Sequence, residues 1–146
     1  MAQEKKRLSS LDPVWDRIKE DAVAAVSAEP LIGGMVHATV LHHSSLESAL
    51  AYRFAFKLSS SEMTGQLLRE ISENAYASDP ALGEAARADL VAIFERDPAC
   101  HRLMQPLLFF KGFQAVQAYR IGHWLWKNGR KDLALSLIHI SSPRDS

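Results

Sequence analysis

The chain has one cysteine, Cys100, which rules out an internal disulfide and any metal cluster built on several thiolates. A reducing compartment is the natural setting for such a sequence. It has no excess of either charge, with 17 Lys+Arg against 17 Asp+Glu. No broad attraction to nucleic acid or to an anionic membrane follows from that balance. No apolar run approaches the ~18 residues a membrane span needs. The N-terminal MAQEKKRLSS begins basic and runs into charged sequence, unlike a signal peptide. Glycine-rich phosphate loops, HExxH patterns and basic-aromatic surfaces are also missing. The expectation is a cytoplasmic protein with no bound metal, no membrane partner and no nucleic-acid partner.

What is present is helix signal. The 146 residues, 47% hydrophobic and 23% charged, suit one domain with a real core. Asp12-Pro13 reads as a cap followed by proline at the first helical position. Trp15, Ile18, Ala22, Ala25 and Val26 then follow at helical spacing to Glu29-Pro30. A weaker helix runs from Leu31 to about Leu41, disfavoured by Gly33-Gly34. A third spans Ser45 to about Lys57. The fourth is predicted to open at SSSE, with Ser59 and Glu62 at capping-box spacing and Met63, Leu67, Leu68, Ile71 and Ala75 on one face. Asp79-Pro80 opens a fifth, and Asp97-Pro98 repeats the same dipeptide further on. Strand signals are scarce, so the fold class is all-α with six to eight helices. The last stretch, LIHISSPRDS, loses the helical pattern and turns Ser- and Pro-rich.

The segment FKGFQAVQAYRIGHWLW, 110–126, is the most unusual. On a helical wheel Gly112, Val116, Tyr119, His123 and Trp126 share one stripe, and Phe110, Ile121 and Leu125 a second. Ala115, Ala118 and Gly122 form a third stripe of small side chains that lets another backbone approach. A helix apolar on most sides is expected to be buried on most sides. Tyr119, Arg120 and His123 then read as groups satisfying buried hydrogen bonds, and Trp124 and Trp126 as core or interface packing.

Other groups with chemical potential are weaker. Adjacent His42 and His43 point about 100° apart on a helix and read as a solvated helix end. Cys100-His101 lacks the geometry that activates a nucleophile. Asp97 in ERDPAC reads in two ways, as a helix cap or as an acceptor for a ligand's ammonium or hydroxyl. From the residues alone no more than a soluble α-helical domain follows.

Several segments taken together go further. VHATVLHHSSLESALAYRFAFKLSS, AYASDP, RDPAC, PLLFFKGFQAVQAYRIGHWLW and NGRKDLAL resemble the N-terminal helical domain of bacterial serine O-acetyltransferases, from about Pro13 to about Leu135. The resemblance implies transfer of acetyl from acetyl-CoA to the hydroxyl of L-serine, in cysteine biosynthesis. It implies an oligomer whose helical domains touch, with Phe113, Tyr119, His123, Trp124 and Trp126 as packing or oligomerisation residues. It places Asp97 and Pro98 in the serine pocket. The family's catalytic histidine–aspartate pair and acetyl-CoA cleft belong to a left-handed β-helix of hexapeptide repeats that has no counterpart here. No catalytic residue is therefore expected in this chain, no cofactor is expected to be bound by it, and acetyl transfer by it alone is not expected. O-acetylserine sulfhydrylase is a partner of the family through a C-terminal tail that this sequence lacks. On this reading 1–135 is the helical domain and 136–146 a non-family tail left by truncation or frameshift. The alternative is a non-catalytic α-helical assembly module.

Overall fold

The computed structural model describes residues 11–140. Among them there are helices and turns and no strand, as the patterning predicts. Helix α1, Pro13–Ala28, is capped by Asp12, whose carboxylate accepts from the Trp15 amide at 3.2 Å. The predicted weak helix is a composite: a 3-10 turn Pro30–Ile32, then α2, Gly33–Val36, then a π turn His37–Leu41. Helix α3, Leu46–Leu58, starts at a Ser45 cap. Helices α4, Gly65–Ser78, and α5, Pro80–Arg96, follow, the second capped by Asp79. Short α6, Gln105–Phe109, leads into α7, Lys111–Lys127, and α8, Lys131–Ile140.

Two expectations about elements fail for physical reasons. SSSE is not a capping box. Ser60 instead closes a turn, accepting from the Met63 amide at 3.0 Å, and Thr64 caps α4. The start is delayed to Gly65, where α3 passes so close that a Cβ would stand 3.2 Å from the Ala55 carbonyl oxygen. Leu67 is consequently more than a third exposed instead of buried. The helical pattern also does not stop at Leu137. That residue is buried and α8 continues to Ile140, while 141–146, the remainder of the expected tail, lies outside the described residues.

The core runs through all the long helices. Ile18, Leu46, Leu50, Leu68, Leu90, Leu107 and Leu125 are fully buried in it. Helices α3 and α4 pack as one antiparallel hairpin and α7 and α8 as another. The second hairpin explains the small stripe of 110–126. A Cβ on Gly122 would stand 2.9 Å from Ile138 Cγ1, so the backbone that approaches there is the chain's own α8. Asn128-Gly129 makes the turn, with Gly129 at φ +79°.

Polar ties fix the helices at their ends. Arg87 on α5 donates from Nε and Nη2 to Asp12 at 3.1 and 2.5 Å, and from Nη1 and Nη2 to Glu47 on α3, both at 2.9 Å. One guanidinium thereby holds the first turn of α1 to α3 and α5. Its hydrogen bond draws the Asp12 pKa below the usual carboxylate range, and the two acids raise that of Arg87.

Candidate functional site

Where α5 ends, the chain turns away from the core and leaves a groove against the first half of α7. Its volume is about 830 Å³, and Ile93, Asp97, Pro98, Phe110, Phe113 and Val116 line most of its wall. The sequence-predicted pair Asp97 and Pro98 lies at its edge. Phe113, expected among the packing residues, is buried at its floor.

Asp97 ends a helix and does not begin one, which corrects the capping expectation. Its amide donates to the Ile93 carbonyl at 2.9 Å, closing α5. Its carbonyl accepts from the Cys100 amide at 3.0 Å, and its Oδ1 accepts from the Ala99 amide at 2.9 Å. Pro98 cannot continue the helix, so the backbone turns there. Oδ2 has no hydrogen-bond partner among the described residues. Among the groove's carboxylate oxygens it is the one that takes no hydrogen bond from the described residues, and it is able to accept from a ligand.

The second carboxylate of the groove, Asp89, is already engaged. It accepts from Gln117 Nε2 at 2.6 Å and from Arg120 Nη1 at 2.5 Å, and Arg120 also donates to Gln117 Oε1 at 3.1 Å. Arg120 thus has the hydrogen-bonding role expected of it. Arg96 also lines the groove, so a cationic side chain stands beside the free carboxylate in the sequence.

Tyr119 and His123 do not have that role. Both are exposed, with rings stacked at 6.4 Å and 9°, because the stripe they share with Val116 and Trp126 faces away from the core. Tyr119 is 56% exposed and Trp126 42%, the latter lying 5.1 Å from Lys131 Nζ. The helix is therefore buried on the faces of Phe113, Ala118, Ile121 and Leu125 and bare along the stripe of Val116, Tyr119, His123 and Trp126. Trp124, between the two, packs half-buried against the core. The structure separates the expected residues into two groups: Asp97, Pro98 and Phe113 at the groove, and Tyr119, His123 and Trp126 on the open stripe.

The remaining candidates resolve as scaffold. His42 is solvated as expected, but His43 is buried and bridges Ser48 Oγ at 2.8 Å and the Ala38 carbonyl at 2.9 Å. A carbonyl only accepts, so Nε2 carries the proton and Nδ1 accepts from the serine hydroxyl. Burial lowers the His43 pKa, keeping the ring neutral. The Cys100 thiol donates to the Arg102 carbonyl and burial raises its pKa, the reverse of what a thiolate nucleophile requires. No group of three potential metal ligands occurs among the described residues, and no helix there is long and apolar enough to cross a membrane.

Sequence reasoning missed Asp21, Asp89 and Arg53. Asp21 carried a signal, since it is an acid one position from the apolar stripe of Ile18, Ala22 and Ala25 and is only 8% exposed. A charge at a core position demands a partner. Asp89 and Arg53 were not singled out, and all three have partners distant in sequence.

Comparison with known proteins bears on the same residues. The family profile "Serine acetyltransferase, N-terminal" matches residues 14–118. The serine acetyltransferase of Escherichia coli (strain K12) is 48% identical over 127 residues, covering 87% of this chain and 46% of that protein. The Haemophilus influenzae serine acetyltransferase is 44% identical over 124 residues, covering 85% of this chain and 46% of its own length. Among solved structures, a serine acetyltransferase in complex with CoA superposes with a TM-score of 0.86 at 43% identity, over 88% of this chain and 55% of that one. The Neisseria gonorrhoeae enzyme in complex with serine gives 0.84 at 47%, over 92% and 56%. The chain spans about half the length of the curated relatives it matches.

Proposed function

The chain belongs to the serine acetyltransferase family, as its N-terminal domain, and from that premise we propose that it serves acetyl transfer from acetyl-CoA to L-serine by holding the amino acid. The observation that carries this reading is the free Oδ2 of Asp97 at the edge of the groove. An amino acid presents an ammonium, and a carboxylate with one uncommitted oxygen is suited to receive it. A charge-assisted hydrogen bond of that kind contributes about 1.5–3 kcal/mol. Asp89 is not a competitor, since Gln117 and Arg120 already occupy it. Pro98 fixes the turn beside Asp97 and supplies an apolar wall. Relatives crystallised with serine and with CoA support the substrate class.

The chain contributes binding and not the proton transfer. A general base must reach the serine hydroxyl within hydrogen-bond distance, and on this reading the two carboxylates of the groove are otherwise employed, Asp97 on the ammonium and Asp89 on Gln117 and Arg120. The isolated 146-residue chain is therefore expected to release no CoA thiol in a serine-dependent manner. Sustained release would overturn this division of labour. Titrating L-serine into the 15N-labelled chain tests the binding itself. The amides of Ala99 and Cys100 are expected to shift first, and no response there would set the assignment aside.

The open stripe of α7 supports self-association. Val116, Tyr119 and Trp126 leave a row of apolar surface on one helix, and aromatic residues are enriched at protein interfaces. Sedimentation at micromolar concentration is expected to detect oligomers that Tyr119→Asp weakens. Cytoplasmic location and a link to O-acetylserine sulfhydrylase belong to the same reading, the second carried by sequence other than this domain.

A further inference from the structure

The turn that presents Asp97 and Pro98 belongs to a loop, 97–104, between α5 and α6. Its local latches come from its own ends. Asp97 Oδ1 accepts from Ala99, and Gln105 Oε1 accepts from the His101 and Arg102 amides at 2.7 and 3.2 Å. Such bonds shape a loop but do not place it on the molecule. Burial of Leu103 and Met104 anchors its far end in the core, and the polar tie to the rest of the molecule comes from α1. Asp21 Oδ2 accepts from the Leu103 amide at 2.7 Å in a buried contact 82 residues apart in sequence, and the Asp21 carbonyl accepts from Arg102 Nη1 at 3.5 Å. The other oxygen of Asp21 accepts from Arg17 Nε at 3.0 Å, and that guanidinium lies 5.5 Å from the Phe94 ring centroid on α5. One carboxylate thus joins α1 to the loop, while its partner arginine leans on the helix that delivers Asp97.

We infer that Asp21 is a positioning residue for the Asp97–Pro98 turn, acting through the Leu103 amide, so that a shift of α1 is felt in the groove. This rests on the serine-holding reading above for what the groove binds, but the tether itself is independent of the ligand. The active feature is an acceptor oxygen at that point, not the ion pair with Arg17. An asparagine there keeps an acceptor and loses the charge, an alanine loses both, and changing Arg17 removes only the ion pair.

Amide hydrogen exchange on the 146-residue chain tests this. In the wild type the Leu103 amide should exchange at least ~10-fold more slowly than that of Ala99, whose bond is exposed. Equal rates would overturn the tether even if every variant failed to fold. Asp21→Ala should speed exchange at Leu103 roughly 10-fold or more, leaving Leu50 and Ala51 of α3 within about twofold. Asp21→Asn and Arg17→Met should each leave Leu103 protected. Loss of protection in D21N equal to that in D21A, or acceleration spread evenly over α3, would contradict positioning and mean general destabilisation. L-Serine titration of the same samples separates the two levels. D21A should weaken the response of Ala99 at least ~5-fold while D21N retains it. A wild type that ignores serine but shows the predicted exchange pattern would overturn the serine assignment alone.

Discussion

Asp12-Pro13 and Asp97-Pro98 are the same dipeptide in two places, with opposite outcomes. At the first, the aspartate opens a helix, caps Trp15 and is gripped by Arg87, which also grips Glu47. The charged groups there pair inside the protein, Asp12 and Glu47 each with Arg87. At the second, the aspartate closes a helix and spends one oxygen on its own turn, and its residue lines a groove. The difference lies in what packs above. Both aspartates are half-buried, but three helices meet at Asp12 and supply a guanidinium, whereas α5 ends at Asp97, whose side chain accepts only from the amide of Ala99. The same dipeptide is held by a cation from another helix at one end of the molecule and only by its own turn at the other; on the proposed reading the second is the one that binds.

The largest expected effect follows from breaking the saturated end. Arg87→Leu leaves two carboxylates with little else to pair with, and should cost about 3–5 kcal/mol, read as a lower urea midpoint. A Cβ at Gly83 would lie 2.3 Å from Glu47 Oε2 and press on the same cluster. Gly83→Ala is expected to destabilise by about 1–3 kcal/mol, as overpacking does. If both changes are neutral, the junction is not the rigid half of the comparison.

Arg53 sharpens the contrast from another side. Its guanidinium is buried with a single hydrogen bond, to the Leu108 carbonyl at 2.7 Å, and its Nε has no partner. Burial lowers its pKa. A buried charge without an acid is a weak spot, so Arg53→Met should leave stability unchanged or raise it by about 1 kcal/mol. A clear loss would mean that the one bond to α6 outweighs the desolvation.

The smallest effect is a pH dependence at His43, whose folded pKa lies below its ordinary 6.5 because of burial. Below about pH 6.5 the unfolded chain binds the proton more readily than the folded one, so stability present above that pH falls as acid is added. Asp12 behaves similarly but only in the acid range of carboxylates, so the two windows are separable. His43→Gln is expected to flatten the dependence between pH 7.5 and 5.5. An unchanged slope would place the titrating group elsewhere.

Much of this architecture was legible in the sequence. Asp-Pro pairs, helical spacing and the NG turn marked α1, α3, α5 and α7 within a residue or two, whereas α8 runs past the expected end to Ile140. The delayed start of α4 was not, because the close passage of Ala55 over Gly65 is a tertiary fact that overrides a local capping pattern. The aromatic stripe of 110–126 was visible as a stripe. Its direction was not, since apolar content cannot say which of several faces the rest of the chain will cover. Asp97 and Pro98 were marked through family resemblance, whereas physics alone left two roles open. The bonds that place Asp97 at the end of α5, to Ile93, Ala99 and Cys100, are local, but the engagement of the neighbouring Asp89 by Gln117, 28 residues away along the chain, could not be read from the sequence.

Calorimetric titration of L-serine into the wild-type chain and into Asp97→Asn tests the comparison most directly. Binding that weakens at least ~10-fold in the variant, as loss of a charged hydrogen bond requires, with an unchanged unfolding midpoint, is the predicted result. Equal affinities in the two proteins would contradict the account, because the free oxygen of Asp97 would then hold nothing.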